Sequence, residues 1–366
     1  MPDPGGLRVG IVGASVSGGW ALQSHVPALR ALPGFAIVAV STSKLTTAAE
    51  TARQLAIPRY YASAAALAAD PDVDLIAVTI KVPDHEAAVR AALGAGKDVY
   101  CEWPLAASTA SAAALRDEAG AARVRTLVGL QARCVPAVRF VRDLVADGYL
   151  GRILSVNASS TGLGNGGPVL AEDRAWTAED SNGLSALTVR AAHTLDAAQY
   201  CAGPIRSVSA HVAVATPTAV IGDTGRRVPR SAPDQVLVHG ELANGASLSG
   251  RFLLGVRGDE APLLTISGTD GTLTVSGEGS EPQIQMSTLR VRAARHGSPF
   301  TDLAVPGRYR RAPHDLPAGP AAAVAENYLG LGQDGASPRF GDAVALHQLL
   351  DTIRLAAIRG QRQYVQ

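Results

Sequence analysis

Residues Leu7 to Trp20, LRVGIVGASVSGGW, constrain this chain more than any other stretch. Leu7 to Val12 is short, mostly apolar and β-branched, and closes on Gly13, which predicts a buried parallel strand. The run Ala14, Ser15, Val16, Ser17, Gly18, Gly19 follows, and then Trp20, Ala21, Leu22, Val26, Leu29 and Leu32 recur at helical spacing. Strand, tight turn and helix together seat a phosphate, because the first N–H groups of a helix have no partner inside it. The usual fingerprint is G-x-G-x-x-G. Here it reads Gly13-Ala14-Ser15-Val16-Ser17-Gly18, with Ser15 in the middle position, where its hydroxyl takes some clearance and offers a donor. Taken alone, the turn also fits a strand-to-helix connection with no ligand.

The next segments repeat the alternation. Phe35 to Val40 is a second buried strand, and a helix from about Thr46 to Leu55 follows. Beyond such a second strand, about 20 residues after the glycines, an acid accepts from the ribose 2′-OH of NAD, whereas a nearby cation suits the 2′-phosphate of NADP. The residues here are Ser41, Thr42, Ser43 and Lys44. With three hydroxyls, one ammonium and no acid, NADP(H) is expected over NAD(H), with Thr42, Ser43 and Lys44 as its contacts. The plainer reading is a polar loop that starts the next helix. Asp74 to Ile80, Asp98 to Cys101 and Arg125 to Leu130 are further strands, separated by helices over Glu86 to Gly94 and Ala106 to Ala121. Strands alternating with helices mean βαβ units and a doubly wound α/β sheet, with ligands at the carboxyl ends of the strands. That rim gathers Ser15, Thr42, Lys81, Val82, Pro83, Glu102, Trp103 and Pro104, with His85 ordering the loop after Pro83 or capping the helix behind it.

From Gln131 the pattern changes. Pro136 to Asp147 is one amphipathic helix, and Gly183 to Tyr200 is another that carries His193 and Asp196. From Ile205 to about Met286 alternating β-branched segments are joined by the strong hairpin pairs Asn244-Gly245 and Asp270-Gly271. The expectation is an N-terminal Rossmann domain over 1–130 and, over 131–366, an α+β domain with an open, largely antiparallel sheet. Residues 287 to 320, polar, basic and rich in proline, read as loop, and Gly341 to Arg359 as a final helix.

Composition excludes several classes. The chain has 366 residues, 47% hydrophobic and 18% charged, the profile of a folded globular protein. The 33 Lys+Arg against 32 Asp+Glu support neither a nucleic-acid nor a membrane surface. Cys101, Cys134 and Cys201 lie far apart, with no C-x-x-C and no Cys/His cluster, so no zinc or other metal site is expected, and a reducing cytoplasm suits them better than a disulfide framework. The segment MPDPGG has no basic or long apolar stretch, so no signal peptide is expected, and no membrane span is read.

These pieces in this order resemble the glucose–fructose oxidoreductase / inositol dehydrogenase / MocA (Gfo/Idh/MocA) family. They are the turn at Val9 to Gly18, Pro83-Asp84-His85, Ala95-Gly96-Lys97-Asp98-Val99, Glu102 with Pro104, Gly129 to Arg133, His193 through Asp196, and Gly268 to Gly271. The segments KVPDH, CEWPLAAS, GLQARCVP and AHTLD are most similar to the branch containing the yeast galactose repressor Gal80. The resemblance implies NAD(P) in the first domain and a small substrate, often a sugar or polyol, against the second domain's sheet. It also implies pairing into dimers or tetramers through that sheet. The family's usual motif is Glu-Lys-Pro, but this chain has Glu102-Trp103-Pro104; the family's Asp one turn before the catalytic His is Val189 here, and the His remains as His193. The reading favoured is an NAD(P)-dependent oxidoreductase acting on a CH–OH or C=O carbon. His193 is its acid/base and Lys81 the replacement cation. Trp103 is a wall, and Arg133, Trp176 and Asp196 lie on the substrate side. The alternative is a silent dinucleotide sensor like Gal80.

Overall fold

A computed structural model describes residues 6–163, 167–256, 260–279, 281, 283–332, 335 and 337–365. The chain divides into two units: residues 1–134 with 311–344, and residues 135–310 with 345–366. A single cut after residue 130, as read from the sequence, therefore misses that a distant segment returns to the first unit.

In that unit β1 (Leu7–Val12), β2 (Phe35–Ser41), β3 (Arg59–Tyr61), β4 (Leu75–Val78), β5 (Asp98–Cys101) and β6 (Thr126–Val128) form a sheet in the order β3-β2-β1-β4-β5-β6. Every pairing is parallel. The strand order reverses at β1, so β1 and β4 flank the switch point where such sheets bind ligands. The helix after β1 opens with a π-helical turn, Ala21–His25, before α1 (Val26–Ala31). Pro27 gives the reason: it has no N–H for the residue four back, and its ring crowds that carbonyl, so the preceding turn widens. The remaining helices are α2 (Leu45–Gln54), α3 (Ala64–Ala68), α4 (His85–Gly94) and α5 (Thr109–Ala122). The core joins Val9, Ile11, Leu29, Val40, Leu75, Tyr100 and Leu127 to Leu316, Val324, Tyr328 and Leu331 of the returning segment. The helix Pro320–Tyr328 in that segment escapes a sequence reading, since its alanines and lone Val324 give a weak period.

In the second unit β7 (Ile153–Gly162), β8 (Val169–Leu170), β9 (Ile205–Ala213), β10 (Thr218–Ile221), β11 (Arg227–Pro229), β12 (Gln235–Leu242), β13 (Ser247–Leu254), β14 (Glu260–Gly268), β15 (Gly271–Glu278), β16 (Thr288–Arg295), β17 (Thr301–Leu303) and β18 (Gln363–Tyr364) follow. The large sheet runs β17-β16-β15-β14-β7-β13-β12-β9-β18. It is antiparallel throughout except where β7 and β13 run parallel. Helices α6 (Pro136–Ala146) and α7 (Ala192–Ala202) belong to this unit, and α7 is preceded by a second π-helical turn, Ala186–Ala191. The two hairpin pairs fall at the β12–β13 and β14–β15 turns, as expected. Residues 287–320 are corrected: they hold β16 and β17. In β16 Val291 and Ala293 turn inward while Arg290 and Arg292 alternate outward, and the arginines hide the strand from a composition reading. The glycine-rich loop Gly162 to Pro168 leads into β8 and a small three-stranded sheet β11-β10-β8 with its own core of Leu170, Ala178, Ala219 and Ile221; residues 164–166 lie outside the described residues. Among the described residues no helix is long and apolar enough to cross a membrane.

If the returning segment completes the first core, Leu331→Ala costs about 2–5 kcal/mol, the usual loss for a buried leucine. Denaturant unfolding followed by a probe in residues 1–134 measures it. A change within about 0.5 kcal/mol, the range of surface substitutions, would remove the segment from that core.

Candidate functional site

The phosphate turn combines a crowded glycine and two open ones. Gly13 has φ +101°, and a Cβ there would lie 2.6 Å from Ile80 Cγ2 and 3.1 Å from the Thr79 carbonyl oxygen. Conformation and room both require glycine at that position. Gly18 and Gly19, at φ +126° and +113°, have nothing within 4 Å of the built Cβ, so their backbone faces open space ahead of the helix. Ala14 is buried beneath the turn. Ser15 spends its hydroxyl inside the turn: Oγ lies 2.7 Å from Ser17 Oγ and accepts from the Ser17 N–H at 3.3 Å. The Val16 N–H donates to Thr51 Oγ1 of α2 at 3.3 Å.

Beyond β2, Thr42 Oγ1 donates to the Lys44 carbonyl at 2.7 Å, which shapes the polar loop, while Ser43 and Lys44 are exposed. Lys44 is the N-cap residue of α2 without a side-chain cap. An open glycine backbone at a helix start is where such a sheet seats the phosphates of a dinucleotide.

The carboxyl ends of β4 and β5 are built around three buried groups. Lys81 and Pro83 are exposed there, and Val82 is buried. His85 is 1% exposed, with Nδ1 2.8 Å from the Pro104 carbonyl and Nε2 3.0 Å from that of Ile80. Its ring is used within the unit, so a contact to a dinucleotide falls to its backbone or to the residues it holds. Burial keeps the His85 imidazole below its ordinary range, against the pull of the two carbonyls and of Glu102. Glu102 is buried too, and His25, 0% exposed, sits with Nε2 2.8 Å from Glu102 Oε1. Gln131 Nε2 donates to both Glu102 oxygens at 3.0 and 2.9 Å. Burial alone would raise the Glu102 carboxyl; its polar neighbours, His25 foremost and Gln131 with it, outweigh that and hold the group below the usual range. Gly129 leaves space for this, since a Cβ there would meet Glu102 Oε2 at 2.5 Å and the Trp103 nitrogen at 2.9 Å. His25 Nδ1 lies 2.7 Å from the Tyr328 hydroxyl, and Asn327 Nδ2 donates to Tyr100 Oη at 3.0 Å and to the Val128 carbonyl at 2.9 Å. Trp103, between the Glu102 side chain and the Pro104 carbonyl, is 7% exposed, and its peptide bond to Pro104 is cis.

The first unit thus gathers Gly13 to Gly18, Thr42 to Lys44, Lys81 to Pro83 and Glu102 to Trp103 at the carboxyl ends of β1, β2, β4 and β5. Arg133 is held in an ion pair with Asp342, 2.7 Å away, a partner 209 residues distant in sequence. In the second unit His193 and Asp196 lie on α7, buried and one turn apart. One turn before His193, the buried Arg190 donates to Ser160 Oγ of β7 at 3.3 Å. Trp176 lies in the 3-10 segment Glu172–Ala178, its carbonyl accepting from Asn182 Nδ2 at 2.7 Å. Sequence reasoning treats His25 as structural and misses Gln131, Asn327 and Tyr328. Gln131 lies inside the Gly129 to Arg133 piece, but nothing in the sequence gives it a role; His25 falls on the apolar stripe of the first helix, and Asn327 and Tyr328 lie in no motif.

Known proteins agree with this architecture. The profile "Oxidoreductase family, NAD-binding Rossmann fold" matches residues 7–130, and "Gal80p, C-terminal domain" matches residues 136–277. "Dehydrogenase aclE" of Aspergillus oryzae is 34% identical over 64% of this chain and 67% of its own. The galactose/lactose metabolism regulatory protein GAL80 of Saccharomyces cerevisiae is 28% identical over 81% of this chain and 72% of its own. The structure of levoglucosan dehydrogenase in complex with NADH and levoglucosan superposes with a TM-score of 0.86 at 22% identity, over 99% of both chains, which is a likeness of fold. The chain belongs to the Gfo/Idh/MocA oxidoreductase family, with a Gal80-like C-terminal domain.

Glu102→Gln removes the ionised acceptor from its donors and leaves the protein about 3–5 kcal/mol less stable at pH 7. A lowered folded pKa adds stability above the unfolded carboxyl pKa of about 4.3 that is lost as pH falls through the folded value. The gap between parent and variant therefore narrows by about pH 3, as denaturant midpoints at the two pH values show. A constant gap would mean that the fold leaves the Glu102 pKa unshifted, and a gap that widens toward low pH would mean that Glu102 is held protonated in the fold.

Proposed function

We propose that this protein is an NAD(P)-dependent oxidoreductase with a preference for NADP(H), acting on a CH–OH or C=O carbon of a small sugar-like or polyol substrate. The observation that carries the reading is the retention of His193 on a buried helix in a chain that keeps the open glycine turn. A nicotinamide dinucleotide bound at the turn supplies or accepts the hydride. Gly13 to Gly18 hold its diphosphate, and Thr42, Ser43 and Lys44 its 2′-phosphate. His193 gives or takes the proton of the substrate oxygen, the role an imidazole fills as a general acid or base. Lys81, exposed at the end of β4, supplies the positive charge that Trp103 cannot, and Arg133, Trp176 and Asp196 take the substrate side. The substrate class follows levoglucosan dehydrogenase, a protein of the same fold whose structure holds NADH and a sugar-derived ligand.

One observation favours a second reading, a regulator that binds the dinucleotide and does no chemistry: Trp103 stands where the family's lysine does, in a chain whose C-terminal domain matches that of Gal80p. We also assign the protein to a reducing cytoplasm, on its buried thiols Cys101, Cys134 and Cys201, none of them joined in a disulfide. We assign it a dimeric or tetrameric state through the outer face of the large sheet, where Leu154, Leu237 and Leu263 are exposed.

Three measurements test these assignments. His193→Ala lowers turnover by about 10²–10⁴ while the NADPH dissociation constant stays unchanged. Turnover that survives the change removes His193 from the reaction, and tight NADPH binding with no product from any carbonyl or alcohol in a panel selects the regulator. Fluorescence titration yields a lower dissociation constant for NADPH than for NADH, narrowed by Lys44→Ala; the reverse order ends the NADP assignment. Leu263→Glu shifts light-scattering mass toward the monomer if the sheet face pairs copies, and leaves it unchanged otherwise.

A further inference from the structure

The two neighbours of Trp103, Glu102 and Pro104, each meet a buried histidine, and the two histidines come from different helices. On the N-terminal side of Trp103 it is the neighbouring Glu102 that is held: His25, from the π-helical turn behind the glycine loop, meets Glu102 Oε1 at 2.8 Å and anchors through Nδ1 to the Tyr328 hydroxyl at 2.7 Å. On its C-terminal side His85, first residue of α4, meets the Pro104 carbonyl at 2.8 Å and the Ile80 carbonyl at 3.0 Å. The Tyr100 ring meets His25 edge-on, centroids 4.9 Å apart, and Cys101 Sγ is 3.4 Å from His85 Nδ1. Every one of these groups belongs to the first unit.

Stability alone does not call for this arrangement. Sealing a carboxylate and imidazoles from water costs more than a close-packed apolar substitute, so buried ionic groups are poor stabilisers and act best by fixing one geometry. What this one fixes is a three-residue segment. Its outer members are tied through a side chain at Glu102 and a backbone carbonyl at Pro104, which holds the backbone on both sides of Trp103. One tie leads to the helix of the phosphate turn and the other to the end of β4, so the indole is indexed to both flanks of the switch point.

We propose that His25 and His85 are positioning residues for Trp103, a clamp that holds the indole as a fixed wall of the dinucleotide site. This part rests on the dinucleotide reading above: the wall acts on the nicotinamide half and not on the adenosine half, which the glycine turn and Lys44 hold. Neither histidine touches reacting atoms. Their effect passes through the indole, so loss of either loosens one end of the ligand.

The chain has three tryptophans, Trp20, Trp103 and Trp176, so 5-fluorotryptophan gives three ¹⁹F resonances that Trp→Phe variants assign. In the ligand-free full-length protein, His25→Leu and His85→Leu should each broaden or split the Trp103 resonance and leave that of Trp176 in place. His25→Gln and His85→Asn, which place an amide N–H where His25 Nε2 faces Glu102 and where His85 Nδ1 faces Pro104, should restore a single line. A Trp103 line unchanged in both leucine variants overturns the clamp, and so does a shift of every line alike, which marks a general loss of structure. The second arm uses NADPH and its fragment without nicotinamide, 2′-phospho-ADP-ribose. The leucine variants should weaken NADPH about tenfold, the equivalent of about 1.4 kcal/mol, and leave the fragment's affinity as in the parent. Equal losses for both ligands overturn the assignment to the nicotinamide half. A parent that binds neither ligand ends the dinucleotide reading, while the ¹⁹F arm still decides whether the clamp exists.

Discussion

The Glu102 carboxyl group, taken out of water and met by donors, is the interaction on which the first unit depends. A carboxylate that deep is tolerated only with its lone pairs satisfied, and His25 and Gln131 supply that. The two come from different stretches of chain. Meeting the demand of one side chain therefore fixes the helix after the glycine turn, the end of β5 and the turn after β6 against one another. The absence of a side chain at Gly129 belongs to the same requirement, because any Cβ there would occupy the carboxylate's place.

The same network explains why residues 311–344 return to the first unit. Tyr328 completes the His25 contact, and Asn327 ties Tyr100 to the last carbonyl of β6. The Val128 carbonyl accepts from the Leu130 N–H as well, so Asn327 adds a second donor there and links it to the Tyr100 hydroxyl. Apolar burial of Leu316, Val324 and Leu331 carries the energy of this return, and the two polar residues carry its register. Two histidines that carry no catalytic motif, His25 and His85, thus become the supports of the one residue by which this chain departs most from its family's motif.

That departure shapes the chemistry. With an indole in place of the lysine, the first unit offers shape and apolar surface at that point where the family's motif offers a mobile proton. In the oxidoreductase reading the proton chemistry moves to His193 on α7, a helix that, like the first one, begins with a π-helical turn. Such wide turns recur where a helix must deliver a side chain off the regular period. In the first helix Pro27 supplies a local cause; for the turn at Ala186–Ala191 the sequence shows no such breaker.

The sequence by itself determined the elements whose period is strong and the turns whose backbone conformation needs glycine. Alternating strands and helices over the first 130 residues, the glycine turn, the hairpins at Asn244-Gly245 and Asp270-Gly271 and the acid-free Ser41 to Lys44 loop were all legible, because each rests on neighbours a few residues apart. The β16 strand was lost where arginines outnumbered the inward Val291 and Ala293, and the helix at Pro320–Tyr328 where alanine blurred the stripe. Only the tertiary structure decided which polar residues pair. Arg133 with Asp342, His85 with Pro104 and Ile80, and His25 with Glu102 and Tyr328 join positions up to 303 residues apart. A buried hydrogen bond is selected by the desolvation of both its ends, and burial comes into being only when the distant segments meet.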